Sequence, residues 1–132
     1  IPAMKKLVGP LRIEFAQYKE LAVFSQFGAE LDQDTVDRLE HGERIMEILK
    51  QRQYRPMPVE DQVLIFFALS NRYLADVKAR HILRFQKDFL NHIDANAPQI
   101  KKEIRDTGEV SDELARKIET EIGEAKRLCD YT

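Results

Sequence analysis

An excess of charge of either sign is missing from this sequence. Its 21 Lys and Arg residues face 23 Asp and Glu, for a formal net charge of −2. That balance offers no electrostatic footing for nucleic acid or an anionic membrane surface. Cysteine is nearly absent. Cys129 stands alone, so no disulfide framework forms, a reducing setting is expected, and nothing nearby supplies the base a thiol nucleophile needs. Long apolar runs are missing as well. The longest, Val63 to Leu69, falls far short of the roughly 20 residues that span a bilayer. No glycine-rich phosphate cradle occurs. The histidines His41, His81 and His92 belong to no HExxH pair, and none has cysteines or carboxylates at ligand spacing along the chain. His81 and His92 are about three helical turns apart, too far to share a metal. The acidic series Glu30, Asp32, Asp34, Asp37 lacks the glycine and terminal glutamate of a calcium loop and reads as capping. Neither catalytic nor metal-binding residues are expected.

What remains is an ordinary globular composition, 43% hydrophobic and 33% charged over 132 residues, enough for one domain with a real core. Helical punctuation runs throughout. Gly9-Pro10 is expected to break a short opening turn, followed by a helix from Leu11 to Phe24 with a stripe of Leu11, Phe15, Tyr18 and Ala22. Phe27-Gly28 ends it. Asp32 or Asp34 caps a second helix to about Lys50, with Val36, Leu39, Met46 and Leu49 on one side and a Glu40–Arg44 pair on the exposed side. Lys50 to Pro58 reads as a proline-stiffened loop.

A helix from Pro58 to about Leu74 should follow, apolar around its whole circumference at Val63 to Leu69 and therefore buried on several sides. A buried strand is the competing reading; the Pro58 start signal and the length through Tyr73 favour helix. A charge at Phe66 should unfold such a helix. Asp76 opens a further helix carrying Ile82, Phe85, Phe89 and Ile93, and Asn96 and Pro98 start a short one through Ile100 and Ile104. Thr107-Gly108 turns the chain, and Ser111 caps a last helix along Leu114, Ile118 and Ile122, with Glu113 and Lys117 paired. The expectation is a single all-α domain over residues 1–132, a bundle of about five to seven helices.

Two features carry functional content. Gln51 and Gln53 flank the proline loop, and amides hydrogen-bond a purine edge in both directions; a solvated loop is the plain alternative. The turn from Gln26 to Asp32 places apolar Phe27 and Leu31 among acidic residues. Such side chains either tuck inward or face a partner.

These strings resemble the C-terminal helical domain of the α subunit of F-type ATP synthases. The likeness runs through Ala3-Met4-Lys5-Lys6, Phe15-Ala16-Gln17-Tyr18-Lys19-Glu20-Leu21-Ala22 and Phe24-Ser25-Gln26-Phe27-Gly28. It continues through Lys50-Gln51-x-Gln53-Tyr54, Pro56-Met57-Pro58, Tyr73-Leu74 and Thr107-Gly108. It covers nearly the whole chain, in order, and is weakest over the last helix. The sequence departs from the family at Pro2 and Pro10, at Arg72 where glycine is common, and at Ala29-Glu30 where serine–aspartate is frequent.

The resemblance implies a helical bundle in a ring of alternating α and β subunits around a central γ shaft, peripheral to the membrane through the complex. The bacterial cytoplasmic face of the inner membrane, or its organellar equivalent, is the implied location. It implies that the phosphate-binding loop and the arginine completing catalysis lie upstream of Ile1, so the domain alone has no catalytic residue and no cofactor. In the intact subunit ATP or ADP with Mg would be held, with Gln51 and Gln53 near the adenine. Ala29, Glu30, Leu31 and Asp32 would face the shaft. The Ile1-Pro2 opening reads as a piece of a longer chain. Two other classes stand beside this reading: a self-standing helical interaction module using the Phe27/Leu31 turn, and a small enzyme using Cys129 or a histidine.

Overall fold

The computed structural model describes residues 1–26 and 30–132. Six α-helices occur among them: α1 (Pro2–Ser25), α2 (Gln33–Tyr54), α3 (Val59–Ser70), α4 (Ile82–Asn96), α5 (Pro98–Thr107) and α6 (Asp112–Lys126). A single 3-10 turn, Ala79–His81, leads into α4, and no strand is present among the described residues. The chain is a single all-α domain. No helix among the described residues is long and apolar enough to cross a membrane.

Helix α3 is the axis of the fold. It touches α1, α4, α5 and α6, and every residue from Val63 to Leu69 is buried. Contact on all sides is what an all-round apolar helix requires. Ile45 and Ile48 of α2, Phe85, Phe89 and Ile93 of α4, Ile104 of α5 and Ile118 of α6 complete the core. Phe85 and Phe89 stack with ring centroids 5.6 Å apart. Tyr131 meets Phe85 edge-on at 5.3 Å, and its hydroxyl donates to Asp88 at 2.6 Å. The C-terminal end is thereby sealed onto α4.

The ends of the helices follow local chemistry with some shifts. Asp32 caps α2 by accepting the Thr35 N–H at 2.8 Å, and Ser111 caps α6 by accepting the Leu114 N–H at 3.1 Å. Gly108 closes α5 in the left-handed region, φ 69°. Helix α2 continues past Lys50 to Tyr54, taking Gln51 and Gln53 into its last turn rather than into a loop. Nothing between Lys50 and Tyr54 stops a helix. The stop is Pro56, which forces Arg55 to φ −136°, ψ 90°. Pro58 sits at the N-cap of α3, one position before the expected one.

Helix α1 runs unbroken through Gly9-Pro10, against expectation. An interior proline costs about 3 kcal/mol and removes one backbone hydrogen bond. The apolar stripe overrides that cost. Ala3 and Leu11 are buried, while Met4, Leu7, Val8 and Phe15 pack on the core, so one face continues across the proline. Gly9 and Pro10 lie on the exposed side.

Helix α3 ends at Ser70 instead of Leu74 because a left-handed turn intervenes. Arg72 has φ 62°. Its N–H reaches the Leu69 carbonyl and the Tyr73 N–H reaches the Ala68 carbonyl, both at 3.1 Å. That is the paired bonding of a Schellman motif, with Tyr73 against Phe67 (centroids 6.0 Å apart) as its apolar contact. Glycine is the residue suited to that position, so an arginine there carries about 1 kcal/mol or more of backbone strain. The Arg72 guanidinium lies 3.4 Å from Glu14 of α1.

Asp76 opens no helix; α4 begins six residues later at Ile82. The intervening turn is held by α2. Arg44 is 5% exposed and donates to the Val77 carbonyl at 2.6 Å and the Ala75 carbonyl at 2.9 Å. Glu40 accepts the Ala79 N–H at 3.0 Å. The Glu40–Arg44 pair therefore faces inward, and Val36, expected on the apolar side, is 42% exposed. Buried turn carbonyls need donors, and a long guanidinium supplies two at once.

Candidate functional site

The end of α2 and the loop behind it form one exposed platform. Tyr54 is 83% exposed and Val59 is 43% exposed, with Arg55 and Pro56 uncovered between them. The loop is anchored from below, where Gln62 donates its amide N–H to the Met57 carbonyl at 2.7 Å. Above it, Arg52 stacks over the Phe66 ring with its guanidinium carbon 5.5 Å from the centroid.

Gln51 and Gln53 leave this platform on different sides. Residues two apart on a helix do not share a face. Gln51 is half-buried toward α4, and its Oε1 accepts a hydrogen bond from Nε2 of Gln86. Gln53 is exposed. The structure does not bring the two amides onto one face. Gln86 went unnoticed in the sequence; it is 4% exposed and its Oε1 has no partner. The available signal was an amide directly beside Phe85 on the apolar stripe of α4.

In the acidic turn, Glu30 is exposed, Leu31 is half-buried and Asp32 is exposed while capping α2. Phe27, Gly28 and Ala29, and with them the expected Phe27-Gly28 stop of the first helix, lie outside the described residues. Exposed apolar side chains flank the turn in sequence: Val23 at 56%, Phe24 at 59% and Val36 at 42%.

Two histidines find carboxylates that spacing did not reveal. His41 is buried on α2 with Nε2 2.6 Å from Glu14 of α1. Burial pushes its imidazole below the ordinary 6.5; the Glu14 hydrogen bond opposes this, and the charges of Arg72 and Arg44 reinforce it. Below pH 6.5 the unfolded chain then binds more protons at this site than the folded one. Stability from His41 is therefore full above that pH and is lost as pH falls through the folded value. A His41→Gln variant is expected to melt with a shallower pH dependence than wild type over roughly pH 5 to 7. Parallel curves from calorimetric melts would contradict the assignment.

His92 of α4 has Nε2 2.7 Å from Glu121 and 3.2 Å from Glu124, both on α6. The two glutamates lie 29 and 32 residues from it. Only their own three-residue spacing was legible in the sequence.

Comparison with known proteins places this geometry. Residues 1–125 match the family model described as ATP synthase alpha/beta chain, C terminal domain. The sequence is 46% identical over 128 residues to the ATP synthase subunit alpha of Clostridium botulinum (strain Langeland / NCTC 10281 / Type F), covering 97% of its own length and 25% of that protein. It is 45% and 44% identical, with the same coverage, to the alpha subunits of the strain Hall / ATCC 3502 / NCTC 13319 / Type A and strain Eklund 17B / Type B. It thus spans about a quarter of the length of the curated relatives it matches. A helical bundle matched almost end to end, with α subunits as its relatives, belongs to the family of C-terminal domains of ATP synthase alpha and beta subunits.

Proposed function

We propose that this protein is the non-catalytic helical end of an ATP synthase α subunit, acting in proton-driven ATP synthesis. It packs against β subunits, helps surround the central γ shaft through the turn at Ala29 to Asp32, and contributes Gln51 and Gln53 to the adenine wall of a non-catalytic nucleotide site. Its place is peripheral, at the cytoplasmic face of a bacterial inner membrane or the organellar equivalent. The carrying observation is the platform at the end of α2, where Gln53 and Tyr54 are uncovered and the Gln51 amide is oriented by buried Gln86.

Gln51 and Gln53 offer amide contacts to a base but no charge for the rest of the nucleotide. With its oxygen engaged by Gln86, Gln51 presents its NH2 as donor. Gln53 is free to donate and accept. Because they diverge, each makes its own contact instead of closing as a clamp. ATP or ADP with Mg in the intact subunit would draw its phosphate and metal contacts from elsewhere in that subunit. Two amide hydrogen bonds contribute only about 1–3 kcal/mol, so the isolated domain should not bind ATP at micromolar concentration.

In the intact subunit, Gln51→Ala combined with Gln53→Ala is expected to lower the preference for ATP over pyrimidine triphosphates by roughly 5- to 150-fold, with the bundle still folded. An unchanged preference, measured by competition binding, would remove the glutamines from the site.

A further inference from the structure

We propose that His92, Glu121 and Glu124 form a binding site for one divalent transition-metal ion of the zinc class, clasping α4 to α6. Among the described residues they are a group whose ligand atoms all lie within 4.8 Å of one another. The His92 and Glu121 side chains are 10% and 16% exposed, and Glu124 is 45% exposed. Two donors are thus held by packing while the third stands at an open door to solvent. Neither glutamate has another ion-pair partner among the described residues. Two carboxylates beside one imidazole leave a net negative charge that a dication neutralises.

Distances decide whether an ion fits. Zinc bonds of about 2.0–2.2 Å at tetrahedral angles put neighbouring donor atoms about 3.3–3.5 Å apart. The present separations from Nε2 are 2.7 and 3.2 Å, so each glutamate oxygen needs to move away from Nε2 by less than about 1 Å, and the two oxygens lie within 4.8 Å of each other. Side-chain rotation of the exposed Glu124 accommodates most of this. One imidazole nitrogen with two carboxylate oxygens suits zinc, nickel or cobalt. Magnesium and calcium favour six or more oxygens in place of imidazole.

Asn96, one helical turn beyond His92, acts on the ring's other nitrogen. Its Nδ2 lies 3.1 Å from Nδ1 and 3.1 Å from the His92 carbonyl. With Asn96 donating to Nδ1, the proton sits on Nε2 and points at Glu121. The metal takes the place of that proton, which is passed through solvent to Nδ1, so the imidazole stays neutral with Nδ1 as its N–H. Asn96 is exposed, so its amide can turn to accept that N–H, the outer-shell bond that orients metal-bound histidines.

The test is zinc titration of the full-length subunit that contains this domain, freed of metal by chelator and followed by calorimetry, with cobalt absorption as a check on geometry. Wild type should bind one equivalent of zinc more than His92→Ala. Glu124→Gln, at a half-exposed position, should keep the fold and weaken that equivalent about tenfold or more. Asn96→Asp should tighten it by about tenfold, since a carboxylate is the stronger outer-shell acceptor. Equal zinc stoichiometry and affinity in wild type, His92→Ala and Glu124→Gln would overturn the site and leave an ordinary histidine–glutamate ion pair. The outcome is independent of whether the glutamines touch a base.

Discussion

Phe89→Asp is expected to leave no cooperative unfolding transition at 25 °C. The ring is fully buried and stacked on Phe85. Truncating a buried phenylalanine costs about 3–5 kcal/mol through lost transfer and cavity. An unpaired buried carboxylate adds several more, or protonates at comparable cost. The sum approaches the whole stability of a small domain, about 5–15 kcal/mol. Phe66→Asp is the informative companion. Phe66 is nearly as buried, at 2% exposure, but the Arg52 guanidinium lies over its ring at 5.5 Å. That cation can turn toward an introduced carboxylate, so Phe66→Asp should be the milder of the two. Circular dichroism melts of both variants decide it. A wild-type midpoint for Phe89→Asp would mean the core lies elsewhere, and a Phe66→Asp variant that retains no more helical signal at 25 °C than Phe89→Asp would deny Arg52 its role.

Gly42→Val should also be clearly destabilising, for the opposite reason. Helices α1 and α2 pack side by side, and Gly42 is buried where they meet. A Cβ added there would lie 2.1 Å from Cγ and 2.4 Å from Cβ of Tyr18. Those atoms are close to the α1 backbone, so no side-chain rotation relieves the overlap and α1 must move. Overpacking of this kind costs about 1–3 kcal/mol and sometimes more. Gly42→Ala meets the same first carbon and should fall in the same range, despite the higher helix propensity of alanine. Alanine at position 18 keeps the Cβ at 2.4 Å, so Tyr18→Gly is the change that removes the whole overlap, and in the Gly42→Ala background it should recover part of the loss. Should denaturant midpoints of Gly42→Ala match wild type, the close approach of α1 and α2 is not real. Gly123 makes the control, since an added Cβ there meets nothing within 4 Å.

The candidate sites were legible to different depths. Gln53, Glu30 and Asp32 could be placed near the surface from local chemistry alone, whereas half-buried Leu31 could not. Gln51 could be named, but not its orientation, because Gln86 is 35 residues away. The His92 cluster was invisible along the sequence for the same reason: its two glutamates arrive on a different helix. The Glu40–Arg44 spacing correctly indicated a pair, yet its direction inward depended on the turn carbonyls that Arg44 meets.

By itself the sequence determined the all-helical class, the burial of Val63 to Leu69, the helix starts at Asp32 and Ser111 and the stop at Gly108. Each rests on a side chain acting within a turn or two of its own backbone. Tertiary structure decided the rest. It carried α1 through Pro10 because a shared apolar face outweighs one lost hydrogen bond. It also set Gly42 against Tyr18, turned Arg44 to the Ala75 and Val77 carbonyls, and joined His92 to α6. Such pairings depend on which faces meet, and contact between faces is a property of the packed bundle rather than of spacing along the sequence.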